Sequence, residues 1–182
     1  MNLPNAAALL DFWFAPETRP FWFRKDAAFD ARLGERFGAL REAAAAGDLD
    51  DWAQTPEGAL ALVVALDQLP RNLLRDDPRA FATDAKALAV AEAAIERGLD
   101  RRLPDDQRGM LYMPFMHSES RAAHERSIEL FADPAFANQL DYAQRHKAII
   151  DRFGRYPHRN AILGRASTPE EVAFLKTPGS GF

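Results

Sequence analysis

The chain contains no cysteine, which removes disulfides, thiolate metal sites and thiol nucleophiles at once. It also lacks a long greasy run. The longest, Ala59 to Leu66, has eight residues, against the ~20 that a bilayer-crossing helix needs. The opening Met1-Asn-Leu-Pro-Asn5 has neither the cationic start nor the apolar stretch of a secretory signal, so the expected location is the cytoplasm. Excess positive charge is missing too: 23 Lys and Arg stand against 27 Asp and Glu, giving a formal net charge of −4 and a pI near 5.6. Bulk binding to nucleic acid or to an anionic membrane needs a basic face and is not expected. No Walker loop, dinucleotide fingerprint, H-E-x-x-H or E-x-x-H pair occurs, so neither a cofactor nor a metal is expected.

What remains is strong helical signal. A chain of 182 residues with 47% hydrophobic and 27% charged content is large enough to bury a core and is expected to form one soluble domain, residues 1–182. Residues 179–182, Gly-Ser-Gly-Phe, are expected to fray. Asn5 is placed to cap a first helix, and Asp26 a second with Phe29, Leu33, Phe37 and Leu40 on one face, ending near Gly47. Thr55-Pro56-Glu57 combines a capping side chain, a proline suited to the first helical position and an acid that favours the positive end of the helix dipole. The pattern recurs at Asp77-Pro78, Asp133-Pro134 and Thr168-Pro169-Glu170-Glu171, the last with capping-box spacing. Further helical stretches are Ala59–Leu69, Thr83–Arg97, Asp105–Met113, Ser118–Phe131 and Ala135–Phe153. No segment reads as a strand. The expectation is an all-α domain of roughly eight to ten helices, packed as an irregular bundle or stacked hairpins; no strict consensus repeat of about 34 residues is visible.

Against the acidic total, Arg145 to Arg165 holds six Lys and Arg and one acid, Asp151. A local reversal of sign marks where an anion finds partners. Prolines interrupt apolar helical pattern three times, at Leu69-Pro70-Arg-Asn72, Met113-Pro114-Phe-Met-His117 and Tyr156-Pro157-His-Arg-Asn160. Each proline removes an amide donor and should push Leu69, Met113 or Tyr156 out of helical geometry. Polar groups follow each: Arg71 and Asn72; His117, Ser118 and Glu119; His158, Arg159 and Asn160. They either tie down carbonyls freed at the kinks or reach into one shared cleft, where arginine grips carboxylate or phosphate and histidine moves protons. Both roles are compatible.

The ordered motifs Leu10-Asp-Phe-Trp-Phe14, Phe21-Trp-Phe23, Leu66-Asp-Gln-Leu-Pro-Arg-Asn72, Ala80-Phe-Ala-Thr-Asp84, Tyr112-Met-Pro-Phe-Met-His-Ser-Glu119, Phe153-Gly-Arg-Tyr-Pro-His-Arg-Asn160 and Leu163-Gly-Arg-Ala-Ser-Thr168 run nearly end to end. Together they resemble the bacterial domain-of-unknown-function family 924. The resemblance implies an all-helical, tetratricopeptide-like fold and no established reaction, with these motifs as the place for a functional surface.

The candidate ligand-binding residues are Asp67, Gln68, Arg71, Asn72, His117, Ser118, Glu119, Arg155, His158, Arg159 and Asn160. His117, Glu119 and His158 are the candidates for catalysis. Ser118 is read as the cap of the helix after it, with Glu119 in its first turn. Cations beside His158 should keep it neutral at pH 7. His146 shares a face with Ile149, Ile150 and Phe153 and reads as a core histidine, while His124, in a charged stretch, reads as solvent-facing. Asp67 in an apolar helix needs a cation, and Arg71 lies at i+4. Six aromatics between Phe12 and Phe23 exceed what one helix face hides, so some belong to the core and others to a roof or contact patch. Three functions compete: a domain binding a small phosphate or carboxylate; a hydrolase or transferase at the same cleft; and a tetratricopeptide-like scaffold for acidic peptides.

Overall fold

Helix starts fall where short polar side chains can satisfy free amides. In the computed structural model, which describes residues 3–181, the Asn5 and Asp26 carboxamide and carboxylate accept the amides of Ala8 and Phe29, each at 2.9 Å. Thr55 accepts Gly58 N–H at 3.1 Å, and Thr168 and Glu171 form a reciprocal capping box. Met1 and Asn2 of the expected signal-free start, and Phe182 of the expected frayed end, lie outside the described residues. The helices are α1 (Ala6–Trp13), α2 (Ala27–Ala46), α3 (Pro56–Val63), α4 (Leu69–Leu73), α5 (Asp84–Glu96), α6 (Asp105–Leu111), α7 (Met113–His117), α8 (Arg121–Leu130), α9 (Ala137–Phe153) and α10 (Pro169–Phe174), joined by short 3-10 turns. No strand occurs among the described residues, and no helix there is long and apolar enough to cross a membrane. The all-α expectation holds.

The chain, expected above as one helical domain, gathers by backbone contact into two units. Unit one runs up to Arg75 and includes Arg79–Pro114; unit two is Asp76–Pro78 with the residues from Phe115 on. In unit one α3 is the central rod, with α1, α5 and α6 packed on it. Residues 58 to 70 are buried without interruption, the pattern of a helix surrounded on all sides. Leu33, Phe37 and Leu40 of α2 supply the face that the sequence assigned to burial. Gly58 has a specific reason to be glycine: a Cβ there would lie 2.0 Å from the Trp52 carbonyl oxygen, which rests on the start of α3. Trp13 is fully buried and stacks on Trp22, whose Nε1 donates to the Trp13 carbonyl at 2.8 Å. Phe12 and Phe21 pack on Phe29, while Phe23 is 72% exposed. The aromatic cluster is therefore part core and part surface.

Pro70 does not break its helix. The five residues Val64–Gln68 form a π-helical turn between α3 and α4, with Leu69 N–H bonded back to Val64 O. Leu69 stays helical at φ −55°, ψ −43°, contrary to the sequence expectation. The widened turn accommodates a proline that lacks the next donor. The Leu66 carbonyl, four residues before it, instead accepts Thr83 Oγ1 at 2.5 Å. Met113 likewise opens α7 rather than leaving helical geometry. Only at the third proline does the expectation hold: Tyr156 is extended, with ψ 106°, before the 3-10 turn Pro157–Arg159.

Unit two is built on the packing of α8 against α9. Its core includes Ile149, Ile150 and Tyr156, with Phe153 and Phe174 against them. Gly154 ends α9 in left-handed conformation at φ 70°, which turns the chain back toward Tyr156.

Candidate functional site

The carbonyl end of α7 is the starting point in unit two, because a helix C-terminus leaves acceptors without intrahelical donors. Three successive carbonyls there are taken by side chains. Met116 O accepts Tyr156 Oη–H at 2.5 Å, His117 O accepts Arg159 Nη2–H at 2.9 Å, and Ser118 O accepts His124 Nε2–H at 2.8 Å. A guanidinium at the negative end of a helix is also favoured by the dipole. The third proline turn, carrying Tyr156 and Arg159, is thereby tied to the segment after the second.

Tyr156 is the hub. It is fully buried, and the rings of His124, His146 and His158 lie 6.0, 5.8 and 5.3 Å from its own. The Arg159 guanidinium carbon sits 4.5 Å from the same ring. All four histidines of the chain belong to this unit, and His146 is electrostatically coupled to His117, His124 and His158. Burial drives the His146 pKa down to about 3, outweighing its Nδ1–H bond to Tyr142 O at 2.7 Å. Burial also lowers the pKa of His124, partly offset by its bond to Ser118 O. Both are held neutral. His146 is the core histidine expected, whereas His124 is fully buried, a correction to the solvent-facing reading. It faces inward with Ala123 and Ser127, and the charges on α8 occupy the other side.

Glu119 also departs from its expected place. Ser120, not Ser118, caps α8, accepting Ala123 N–H at 3.4 Å; Ser118 Oγ accepts Ser120 N–H instead. Glu119 therefore precedes the helix. Its carboxylate accepts the Tyr156 amide at 2.8 Å and forms a two-pronged ion pair with Arg165, at 2.7 and 2.9 Å. Burial opposes its ionisation, but Arg165 and the Tyr156 amide prevail and hold its carboxyl below the ordinary range. Arg155 is matched in the same way to Glu171, at 2.7 and 2.8 Å, and Arg155 with the Thr168 amide brings the Glu171 pKa down to about 2. Asn160 donates to Ser167 Oγ and accepts from Arg165, each at 3.0 Å. Arg165 and Glu171 are the partners that sequence reading did not select; each is brought to its mate by the fold rather than by spacing.

The candidates after the first proline lie in unit one. Arg71 bonds Asp67 O at 2.8 Å, approaches the Asp67 carboxylate at 3.2 Å and forks onto Asp84 at 2.9 Å through both terminal nitrogens. Asp67 is fully buried, and Gln68 donates to it at 2.5 Å. Asn72 donates to Asp30, which also receives Arg75. The expected i, i+4 pairing of Asp67 with Arg71 is present, and Asp84 doubles it. Among the described residues no group of three or more His, Asp or Glu is arranged to hold a metal ion.

Residues 9–179 match a family model described as a bacterial protein of unknown function, DUF924. A solved structure of a protein of unknown function from Agrobacterium tumefaciens is 43% identical and superposes with a TM-score of 0.88, over 94% of this chain and 96% of that one. No curated protein matches the chain.

Proposed function

The chain belongs to the DUF924 family, and from that premise we propose that its unit two binds a small carboxylate or phosphate-like anion beside His117, His158 and Arg159. The observation that carries this reading is the buried guanidinium of Arg159, 6% exposed, joined to the His117 carbonyl and adjacent in the chain to half-buried His158. Arginine supplies forked donors for an oxyanion, and imidazoles add a donor each as they take up protons in the range pH 5 to 8. Crowded imidazoles resist protonation beside one another; an anion relieves that repulsion, so binding and proton uptake are linked. Binding is favoured over catalysis because Glu119, the natural orienter of a base, is engaged by Arg165 and the Tyr156 amide.

Titration calorimetry with sulfate and with succinate tests the reading. Sulfate keeps its charge across the range, so a rise in its affinity from pH 7.5 to pH 6 reports protons taken up by the protein. His158→Ala should weaken binding by roughly tenfold, the loss of one charge-assisted hydrogen bond. Heat-silent titrations at both pH values, with no shift in melting temperature, would defeat the proposal.

A further inference from the structure

After α10 the chain turns back toward the candidate site. Phe174 packs on Phe153 with ring centroids 4.9 Å apart, and the Thr177 amide and hydroxyl both donate to Phe174 O, closing the helix. Gly179 is left-handed at φ 76°, and the backbone then runs over His158: a methyl group on Gly181 would come within 3.6 Å of the His158 Cβ and 3.9 Å of its Cγ. Glycine permits both the turn and the flat approach. Among the described residues, the hydrogen bond formed by Pro178–Gly181 is Ser180 Oγ to Leu175 O, at 3.2 Å. A segment lying on an imidazole, yet held by little more than one hydrogen bond within its own stretch of chain, detaches at low cost.

We propose that Pro178–Gly181 is a displaceable cover over His158 that regulates access to the anion site, an inference that rests on the reading above for its purpose but not for its geometry. With the cover closed, only the open fraction of molecules binds, and apparent affinity falls by that fraction. Gly179 is the hinge that sets the balance, since any other residue there is strained.

The full-length chain and its Gly179→Val and Ser180→Ala variants are treated with diethyl pyrocarbonate, and the acylation rate of His158 is read by peptide mass spectrometry. Far-ultraviolet circular dichroism checks that helix content is unchanged. Gly179→Val should raise the His158 rate roughly tenfold, with a smaller rise for Ser180→Ala and no change at His117. A His158 rate equal to wild type in both variants overturns the cover. Added sulfate separates the two ideas: faster acylation that sulfate does not slow upholds the cover and removes the anion reading. Unchanged acylation that sulfate slows does the reverse.

Discussion

The Glu119 carboxylate holds the Tyr156 backbone amide at 2.8 Å, across 37 positions of sequence. That bond, with the Arg165 fork, fixes the extended residue from which Pro157, His158 and Arg159 follow. Glu119→Ala should destabilise the protein by about 2–3 kcal/mol, because a buried amide and a guanidinium lose a charged acceptor together. Urea denaturation measures this; a loss below about 0.5 kcal/mol would show that water replaces the carboxylate without cost.

Stability should fall on mild acidification, before carboxylates titrate. His124 and His146 are neutral in the folded protein with pKa values pushed below 6.5, so the unfolded chain gains protons first. Below about pH 6.5 each contributes a loss approaching 1.4 kcal/mol per pH unit, continuing toward its folded pKa. Glu119 and Glu171, lowered in the fold, add their own loss only as pH drops through about 4 and below. Denaturation curves between pH 7.5 and 5 should flatten in His146→Leu; an unchanged slope would assign the effect elsewhere.

Arg71→Ala should cost about 3–5 kcal/mol, since fully buried Asp67 is left without its cation. Asp67→Asn in the same background should recover part of the loss. A double-mutant cycle showing additivity would mean that Asp84, rather than Asp67, carries the arginine's effect.

Two glycines should respond in opposite directions. Gly58→Ala sets a methyl group 2.0 Å from Trp52 O and should destabilise by about 2 kcal/mol or more. Gly38, in the interior of α2, has nothing within 4 Å of its missing Cβ, so Gly38→Ala should stabilise by about 0.5–1 kcal/mol. Thermal melts of the pair decide both.

What was readable in the sequence was local. Asn5, Asp26, Thr55 and Thr168 bond amides two or three residues away, so residue type and spacing suffice to place them. Asp67 and Arg71 lie one turn apart and were legible for the same reason. Pro70 was misread because a π turn can accommodate a proline, and nothing in Val64–Gln68 announces one. His124 was misread because polar neighbours say little about which side of a helix a residue occupies. Ser118 and Ser120 are both able to cap, and the choice between them is made by the position of Glu119 against Tyr156. Arg155 looked available for a ligand because Glu171 lies 16 positions further on, a match that only the folded chain reveals.

The π turn at Val64–Gln68 makes the rod through unit one sensitive to length in a way that ordinary helix is not. Removing one residue there would restore tighter winding and rotate everything downstream by about 100°. Arg71 would swing off Asp84 and Asn72 off Asp30, although every amino acid involved is still present. Single-residue deletions in this stretch should thus be far more damaging than substitutions, and the surplus residue works as a phase setting for the side chains beyond it.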